Sequence, residues 1–358
     1  MTNPIPAKMK AAVLFGPDDL RVVEKDVPTP VAYEVLIKVM SCAICGTDPT
    51  VLKGNWPSRP PFGTFTPGHE FSGEVVALGP YVEDYKIGDR IAIETHKGCG
   101  FCRNCKEGHY TICLNYGKNE SGHRHYGFTA DGGYAQYVAV HISNLYRIAD
   151  NVSYDEAALV TTASCVHYAI DLAGGFLGGE VVAVFGPGPI GLMAVQLSKA
   201  LGAVKVFLTG TRENRLDVGK EVGADRVIDI NKEDAVKTIL AETGGRGVDI
   251  AFECSGNKSA SEQAFRVVRK GGRISLIGDP HEQVSLNLKD FVLFEMKATG
   301  VRGEGNGDTR RSLAMVSSGK LNVKPLISHH YNLENIGEAF ETYTQRKDGA
   351  IKVIINPN

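Results

Sequence analysis

The chain has 358 residues, with 39 Lys and Arg against 41 Asp and Glu, so that its formal net charge is −2. This length predicts about two domains, each able to bury a core of its own. The balanced charge argues against nucleic acid and anionic membranes as partners, and no apolar run approaches the ~18 residues that a membrane span needs. Residues 1–10 lack the apolar stretch of a secretory signal, so we expect a cytoplasmic protein.

The first part of the chain, residues 9–150, alternates short β-branched runs with Gly, Pro or polar clusters. This pattern is typical of an all-β, partly barrel-like module. The predicted strands are Met9–Phe15, Leu20–Asp26, Glu34–Met40, Gly73–Leu78, Asp89–Ile93 and Tyr134–Val140.

Beyond about residue 150, a predicted helix at 154–173 is followed by strands and helices in alternation. Because the strands are continuously apolar, they predict a parallel sheet that helices cover on both faces. The predicted strands are Val181–Phe185, Val204–Leu208, Arg226–Ile230, Val248–Phe252 and Arg273–Ile277, and the helices lie near 190–201, 213–221, 233–242 and 259–269. The tail is predicted to hold helices near 309–318 and 334–346 and a closing strand, Ile351–Ile355.

A G-x-G-x-x-G motif follows the first strand of the alternating part and opens a helix. Gly186 permits the tight turn, Gly188 lets the backbone approach a pyrophosphate, and Gly191 lets the helix pack closely on the strand. Pro189 and Ile190 belong to the same turn, at the helix N-terminus that faces the anion. The strand–turn–helix setting predicts dinucleotide binding, whereas an isolated glycine motif would be weak evidence.

The end of the next strand indicates which dinucleotide is bound. An NAD site places Asp or Glu there on the ribose 2′-hydroxyl, and this chain has Gly210 instead. Thr211 can donate a hydrogen bond to a 2′-phosphate, Arg212 can pair with it, and Arg215 is a second cation nearby. These residues predict a preference for NADP, with NAD as the alternative. In the alternative interpretation, both arginines are merely solvated residues of the next helix.

Cysteines are concentrated near the start of the chain. Cys99, Cys102, Cys105 and Cys113 lie close together in a Gly-rich segment, which suits a tetrahedral zinc ion with no open position. Such a site is structural. An iron–sulfur cluster or disulfides are alternatives that fit a cytosolic chain with a nicotinamide-binding fold less well.

A second candidate metal site consists of fewer residues, which lie farther apart in the sequence than the four cysteines. Cys45, His69 and Glu70 offer a thiolate, an imidazole and a carboxylate, which leave a fourth position open for water or a substrate oxygen. Taken one by one, these residues are equally compatible with a small core residue, a loop histidine and a surface charge.

Several motifs together resemble the zinc-containing medium-chain alcohol dehydrogenases over almost the whole length of the chain. Within this family, the Glu that follows the zinc histidine is typical of the polyol (sorbitol-type) and threonine dehydrogenase branch. The stretch from His96 through the four-cysteine segment is especially similar to threonine 3-dehydrogenases. The motifs are Cys45-Gly46-Thr47-Asp48, Gly68-His69-Glu70, the four-cysteine segment, the glycine motif, Val248-Asp249 with Glu253-Cys254-Ser255-Gly256, Lys270-Gly271-Gly272-Arg273 and Val323-Lys324-Pro325-Leu326-Ile327.

The resemblance implies an α/β protein with two domains. Residues 1–155 and 300–358 would form a GroES-like, β-rich catalytic domain that carries a structural and a catalytic zinc. Residues 156–299 would form an inserted Rossmann domain with a doubly wound parallel sheet. The family also implies an active site in the cleft and a homodimer or homotetramer.

The same resemblance assigns roles to individual residues. The catalytic zinc would bind the substrate hydroxyl and lower its pKa, so that hydride can pass to the nicotinamide. Thr47 would relay the proton outward, with a helix cap as its alternative role, and Asp48 would lie beside the metal. His96 would lie at the cleft, with a purely structural loop role as its alternative. Cys254 and Ser255 would belong to the cofactor site, although Cys254 is equally consistent with a packing residue.

Three departures from the branch stand out. A Glu that usually lies close to the zinc is absent, and Thr161 or Thr162 stands near its place. Cys165 is a candidate fourth ligand or a buried helix cysteine, and His167 packs near the nicotinamide or in the core. Residues 120–131 are longer than in threonine dehydrogenases. Their two His, one Arg and aromatic residues could reach a polar substrate, form a subunit contact or stay exposed.

The sequence therefore predicts an NADP-preferring, zinc-dependent dehydrogenase. It would oxidise a secondary hydroxyl of a polyol, sugar derivative or hydroxy-amino acid, or reduce the corresponding ketone. L-threonine 3-dehydrogenase using NAD is the alternative. A rival of another class is a non-catalytic redox sensor that binds zinc and dinucleotide, because a fold alone does not establish chemistry.

Overall fold

The computed structural model describes residues 4–175, 178–280 and 282–358. The chain forms two compact units. The first ends at Thr161 and also takes in Glu304–Ser317 and Ile327–Asn358, and the second comprises Thr162–Gly303 and Ser318–Leu326.

This division differs from the expected one in three places. Residues 156–161 belong to the first unit, and residues 300–303 and 318–326 belong to the second. The backbone N–H of Asn322 donates to the side-chain oxygen of Gln196 over 2.8 Å, and Leu321 and Val323 are buried. Because Gln196 lies in the second unit, this hydrogen bond ties the tail segment to that unit.

The elements of the chain up to residue 172 are mostly strands and short helices. They are β1 (Lys8–Gly16), β2 (Asp19–Asp26), β3 (Glu34–Ala43), α1 (Asp48–Leu52), β4 (Glu70–Leu78), β5 (Arg90–Ile93), β6 (His96–Lys97), α2 (Arg103–Lys106), β7 (Arg124–His125), β8 (Tyr137–His141), β9 (Leu145–Arg147), α3 (Tyr154–Ala158) and α4 (Val160–Leu172).

Strands and helices alternate in the remainder. They are β10 (Val181–Phe185), α5 (Pro189–Ala200), β11 (Lys205–Gly210), α6 (Glu213–Glu221), β12 (Arg226–Asp229), α7 (Ala235–Glu242), β13 (Val248–Glu253), α8 (Lys258–Val267), β14 (Val268–Leu276), α9 (Leu288–Leu293), β15 (Lys297–Gly300), α10 (Asp308–Ser317), β16 (Ile327–Asn332), α11 (Ile336–Gln345) and β17 (Lys352–Asn356).

The main sheet of the first unit is organised around β3. Its strand order is β16-β17-β3-β4-β5-β9, and β8 also pairs with β3. Ile37 on β3 lies opposite Val75 on β4 and Val138 on β8, and all three are buried. The C-terminal strand β17 pairs with the end of β3, which brings the last residues of the chain beside the turn that follows β3.

The sheet of the second unit is parallel throughout, with the order β12-β11-β10-β13-β14-β15. The chain runs outward from β10 to β12 and then from β13 to β15, which is the doubly wound order. All six residues of β13 are buried, as expected for a central strand that is covered on both faces. The predicted fold class, a β-rich unit plus a doubly wound parallel sheet, is confirmed.

Some predicted elements have different bounds. The single helix predicted at 154–173 is two helices, α3 and α4, which meet at Leu159. A capping box between Ser153 and Glu156 starts α3. The edge strand β15 was not predicted, because its residues are largely exposed and give no apolar run. Among the described residues, none of the helices combines the length and apolarity required to cross a bilayer.

Candidate functional site

The antiparallel pairing of β3 and β4 brings together the three candidate ligands of the catalytic zinc, Cys45, His69 and Glu70. Cys45 lies in the turn after β3, Glu70 is the first residue of β4, and His69 directly precedes it. Ala43 pairs with Glu70, so the end of one strand meets the start of the other. One ligand atom from each of Cys45, His69 and Glu70 lies within 4.8 Å of the others, and His69 and Glu70 are buried.

A close packing contact fixes the turn that leads into β4. Gly68 has a φ of +95°, and a Cβ built there would lie 2.7 Å from the ring of Tyr134. A side chain at this position is therefore excluded by both backbone conformation and space. The glycine allows the fully buried Tyr134 to pack directly against the turn that precedes His69.

Asp48 connects the residues of this cluster. Its Oδ2 accepts hydrogen bonds from the backbone N–H of Cys45 at 2.8 Å and from the Tyr134 hydroxyl at 2.7 Å. Its Oδ1 lies 3.4 Å from Nδ1 of His69. Burial lowers the pKa of His69, but the charges of Cys45 and Asp48 outweigh burial and raise this pKa well above its ordinary value. The cluster thus has a surplus of negative charge, as a cation site requires.

Lys352 is a residue of this cluster that the sequence analysis missed. It is the first residue of β17, it is 1% exposed, and its Nζ forms an ion pair with Oε2 of Glu70. Burial lowers the pKa of Lys352, but Glu70 and Cys45 outweigh burial and raise it. The available signal was a single Lys within an otherwise apolar closing strand, since a buried lysine needs a partner.

The residues fit a divalent zinc ion. A thiolate, an imidazole and a carboxylate are a donor set that zinc accepts, and they leave one position open. Thr47 lies next to this set, and its Oγ1 is buried without a hydrogen-bond partner among the described residues. Thr47 occupies the N-cap position of α1, yet its side chain makes no capping hydrogen bond, which speaks against the capping alternative.

The four-cysteine segment converges on a second point. The sulfur atoms of Cys99, Cys102, Cys105 and Cys113 all lie within 4.8 Å of one another. The sulfurs of Cys102 and Cys113 are 3.9 Å apart and those of Cys99 and Cys105 are 4.0 Å apart, far longer than a disulfide bond, and all four cysteines are free thiols. Asn115 donates to Sγ of Cys99 at 3.3 Å, and backbone N–H groups donate to Cys99 and Cys102. Four converging sulfurs that accept N–H donors fit tetrahedral zinc.

Residues 120–131, for which a substrate contact, a subunit contact and an exposed loop were the alternatives, lie against the candidate metal centre. His96 stacks on His125 with ring centroids 3.7 Å apart, His125 on Phe128 at 3.9 Å, and Phe128 lies 4.4 Å from the ring of His69. His96, His125 and Phe128 are all buried. The alternative of an exposed loop is therefore wrong for the residues in its centre.

The glycine motif has the geometry that dinucleotide binding needs. Gly186 follows β10 with a φ of +102°, and a Cβ on Gly191 would lie 1.9 Å from the carbonyl oxygen of Gly186. Helix α5 begins at Pro189 with Gly188 as its N-cap, and Ile190 lies in the first turn. The backbone N–H groups at this helix N-terminus are available for an anion.

Gly210 ends β11 directly beside the glycine motif. A Cβ built on Gly210 would lie 2.5 Å and 2.6 Å from Cγ and Cδ of Pro187. After Gly210, Thr211 is exposed, Arg212 is half-buried, and Arg215 in α6 is buried. The alternative of two solvated arginines is therefore wrong for Arg215.

The turn after β13 also packs on the glycine motif. A Cβ on Gly186 would lie 2.8 Å from Cβ of Ser255, and the Ser255 hydroxyl donates to Glu253 at 2.5 Å. Cys254 precedes Ser255 and is half-buried. On α4, Cys165 is half-buried and His167 is buried, as are Thr161 and Thr162. Thr161 is the end of the first unit, and the other three residues belong to the second.

Two family models match this chain. Residues 31–150 match the alcohol dehydrogenase GroES-like domain, and residues 189–318 match the zinc-binding dehydrogenase model. Among curated relatives, sorbitol dehydrogenase of Bacillus subtilis (strain 168) is 34% identical over 364 residues, which covers 100% of both chains. L-threonine 3-dehydrogenase of Pyrococcus furiosus is 35% identical over 359 residues, which covers 98% of this chain and 99% of the relative.

Solved structures are similar over the same length. A protein of Sinorhizobium meliloti 1021, assigned as a zinc-binding dehydrogenase and bound to NADP, has a TM-score of 0.91 and 30% identity, covering 98% of this chain and 100% of its own. The 2R,3R-butanediol dehydrogenase from Bacillus subtilis has a TM-score of 0.87 and 29% identity, with coverage of 98% and 100%.

Proposed function

Because the chain belongs to the zinc-containing medium-chain dehydrogenases, in the polyol and threonine dehydrogenase branch, we propose that it transfers hydride between a secondary alcohol and NADP. The family resemblance seen in the sequence is confirmed, and the chain is an oxidoreductase. The non-catalytic sensor considered above is therefore set aside. The proposed substrates are small polar alcohols, such as a polyol, a sugar derivative or a hydroxy-amino acid, and the corresponding ketones.

The observation that carries the proposal is the convergence of Cys45, His69 and Glu70 within 4.8 Å beside the partnerless hydroxyl of Thr47. A zinc ion held by these three residues would supply Lewis-acid activation of the substrate hydroxyl. Asp48 holds Cys45 and His69 in place through its two carboxylate oxygens. Lys352 balances the buried charge of Glu70 and orients its carboxylate.

Thr47 gives the proton of the substrate hydroxyl a route outward. A threonine hydroxyl can accept one proton while it donates its own, so it can pass a proton without a net charge. Its Oγ1 has no hydrogen-bond partner among the described residues. Thr47 lies two positions after the candidate ligand Cys45 in the chain. Replacement by valine would therefore slow alcohol oxidation while leaving metal binding in place.

The dinucleotide would bind through the glycine motif and the turns beside it. The N-terminus of α5, with Gly188, Pro189 and Ile190, takes the pyrophosphate. Thr211, Arg212 and Arg215 take the 2′-phosphate of NADP, and Gly210 presents no carboxylate that would repel it. Ser255 and Cys254 line the same region from the turn after β13. These residues support a preference for NADP over NAD.

The proposal also includes a structural zinc site, an oligomeric state and a division of roles between the two units. Cys99, Cys102, Cys105 and Cys113 hold a second, structural zinc, which gives two zinc ions per chain. The enzyme is cytoplasmic and forms a homodimer or homotetramer, with the first unit as the catalytic domain and the second unit as the cofactor domain.

L-threonine 3-dehydrogenase using NAD is the second candidate. The similarity to the Pyrococcus furiosus enzyme favours it, as does the presence of His96 in a ring stack that leads through His125 and Phe128 to His69. The absence of an acidic residue at Gly210 disfavours NAD as the cofactor.

Initial rates of nicotinamide reduction test these candidates. The panel contains polyols, sugar alcohols, L-threonine and simple secondary alcohols, each with NADP and NAD, before and after chelation. We expect chelator-sensitive turnover of a polar secondary alcohol that favours NADP. Turnover of threonine with NAD alone, to 2-amino-3-ketobutyrate, would instead establish the second candidate.

A further inference from the structure

The first unit contains a small cavity outside the candidate metal centre. Its volume is about 170 Å³, and its walls come from β1, β2, the start of β3, β8 and residues 124–135. Of the residues that the structure describes, none of the three candidate ligands of the catalytic zinc lines this cavity. Its volume is below the ~300 Å³ at which pockets for drug-sized ligands begin, so the cavity suits a small metabolite.

Most of the charge on the cavity walls is already neutralised by ion pairs. Lys25 pairs with Asp131 at 2.5 Å. Asp26 pairs with Lys8, which lies outside the cavity, at 2.8 Å. Two charges therefore remain to be balanced. The charged side chains that line the cavity in the described part of the chain are Lys25, Asp26, Glu34, Arg124 and Asp131.

The two remaining side chains, Arg124 and Glu34, are both half-buried. Nη1 of Arg124 donates to the backbone carbonyl oxygens of Asn119 and His123 at 2.7 Å and 2.8 Å, which leaves Nε and Nη2 available. Oε2 of Glu34 accepts a hydrogen bond from the backbone N–H of Val31 at 3.2 Å. Neither side chain forms an ion pair with the other or with any further described residue. The cavity thus presents one unbalanced guanidinium and one unbalanced carboxylate.

Tyr126 adds a neutral hydrogen-bond donor near both of these charges. It lines the same cavity and is buried. Burial raises the pKa of Tyr126, and the charges of Glu34 and Arg124 act on this pKa in opposite directions, so both lie within electrostatic reach of the hydroxyl. The hydroxyl oxygen accepts from the backbone N–H of His141 at 2.9 Å, and no described residue accepts its proton.

Another part of the wall is apolar. Met9, Ala135 and Val138 line the cavity and are buried. This surface can accept a small aliphatic group, because such a group gains free energy when it leaves water. An α-amino acid with a small aliphatic side chain complements all of these features. Its carboxylate matches the guanidinium, its ammonium group matches the carboxylate, and its side chain matches the apolar wall.

We propose that this cavity is a binding site for an α-amino acid with a small aliphatic side chain, separate from the alcohol site. Nε and Nη2 of Arg124 take the carboxylate of the ligand, and Glu34 takes its ammonium group. Both charges of the cavity are balanced only by a ligand that carries both. A carboxylate without an ammonium group is repelled by Glu34, and an amine without a carboxylate is repelled by Arg124. This inference does not depend on the proposed function.

The cavity and the candidate metal centre share a wall. Gly132 lines the cavity, and a Cβ built on Gly132 would lie 2.0 Å from the carbonyl oxygen of Gly68, the residue before His69. The segment that would contact the amino acid therefore also packs against the turn that leads to the metal centre. Because the ligand binds only the folded chain, we expect it to raise the midpoint of thermal unfolding.

Isothermal titration calorimetry of the zinc-loaded protein at neutral pH tests the requirement for both charges. L-valine is the probe. The same molecule without its ammonium group is 3-methylbutanoate, and without its carboxylate it is 2-methylpropylamine. We expect the Kd of L-valine to be lower than that of either analogue by about tenfold or more. Absence of L-valine binding at millimolar concentration, equal affinity for either analogue, or tighter binding of inorganic phosphate would overturn the proposal.

Substitutions test each charge separately. Glu34→Gln and Arg124→Gln should each raise the Kd of L-valine by about tenfold or more. Because each removes one repulsion, Glu34→Gln should also bind 3-methylbutanoate more tightly than the parent does, and Arg124→Gln should do the same for 2-methylpropylamine. Arg266→Gln, at an exposed position on α8, is the matched control.

Arg124→Lys is the second variant at this position, because the loss of the loop hydrogen bonds could unfold Arg124→Gln. It keeps the charge without the fork of donors, so we expect weakened binding of L-valine and no gain for 2-methylpropylamine. Unchanged affinity for L-valine in both Glu34→Gln and the folded Arg124 variants would contradict the assigned roles.

His69→Asn distinguishes this cavity from the candidate metal centre, and we expect it to bind L-valine as the parent does. Loss of binding in His69→Asn, with binding unchanged in Glu34→Gln and Arg124→Gln, would place the amino acid at the metal centre and overturn the proposal. Calorimetry does not need turnover. An inactive parent that binds L-valine with the expected selectivity would therefore count against the proposed function alone.

Discussion

At the scale of single residues, the absence of a side chain at Gly210 is explained by Pro187, which lies 23 positions earlier in the chain. The sequence alone indicates only that no acidic group is present at the end of β11. The structure adds that Pro187 occupies the space in which a side chain would have to lie, with two of its ring atoms 2.5 Å and 2.6 Å from where a Cβ would stand. Contacts this short require the proline or the strand to move. An NAD-type carboxylate therefore cannot be introduced at Gly210 alone.

We expect Gly210→Asp to lower the midpoint of thermal unfolding and to weaken binding of both cofactors, because the new side chain collides with Pro187. In Gly210→Asp with Pro187→Ala, the two ring atoms are removed, and we expect stability to recover and the kcat/KM ratio of NAD to NADP to rise about tenfold or more. Pro187→Ala alone is the control. A single Gly210→Asp variant that is as stable as the parent would contradict the steric argument.

Individual residues also show where sequence analysis stops. Cys45, His69 and Glu70 were predicted because their types and their neighbours match a known motif. Lys352 and Glu304 were missed, since they lie 282 and 209 positions from Glu70 and Thr95, their partners. Only strand pairing and packing bring such residues together, and nothing local in the sequence marks them.

At the scale of elements, Glu94 lies where four parts of the first unit meet. It directly follows β5 and accepts hydrogen bonds from the hydroxyls of Tyr110 in the four-cysteine segment, Tyr146 on β9 and Thr309 on α10. Burial and the negative charge of Glu304 raise the pKa of Glu94 to about 7. The four-cysteine segment is thus anchored, through Tyr110, on a carboxyl group that titrates near neutral pH.

This anchor predicts a dependence of stability on pH. A carboxyl group whose pKa is raised on folding stabilises the folded state fully below its unfolded pKa of 4.5, and this contribution is lost as pH rises through about 7. We expect Glu94→Gln to remove this loss and to be more stable than the parent at pH 8, by about 1–3 kcal/mol, with little difference at pH 5. Glu83→Gln, at an exposed position, is the control. Midpoints of thermal unfolding that run parallel in the parent and Glu94→Gln across this pH range would contradict the account.

The elements themselves were predictable where the pattern of burial is simple. The central strands β10 and β13 are almost entirely buried and mostly apolar, and their predicted bounds agree with the structure to within one residue. The exposed edge strand β15 gives no such pattern and was missed. The break between α3 and α4 was missed as well, since Leu159 is itself buried and apolar and leaves the helical pattern uninterrupted.

At the scale of the whole molecule, the chain forms two units. The first unit is assembled from both ends of the chain, because β17 pairs with β3. The last strand therefore contributes directly to the candidate metal centre through Lys352. We expect this centre to be sensitive to changes at the C-terminus, although the ligands all lie within the first 70 residues.

The central claim is that Cys45, His69 and Glu70 hold the zinc ion on which turnover depends. Native mass spectrometry of the purified protein, with turnover measured on the same samples, tests it most directly. We expect two zinc ions per chain in the parent, and one in His69→Asn together with loss of turnover. In the control Cys113→Ser, we expect the structural zinc to be lost from a less stable protein. A parent that turns over with a single zinc, or a His69→Asn variant that keeps both zinc ions and full turnover, would contradict the account.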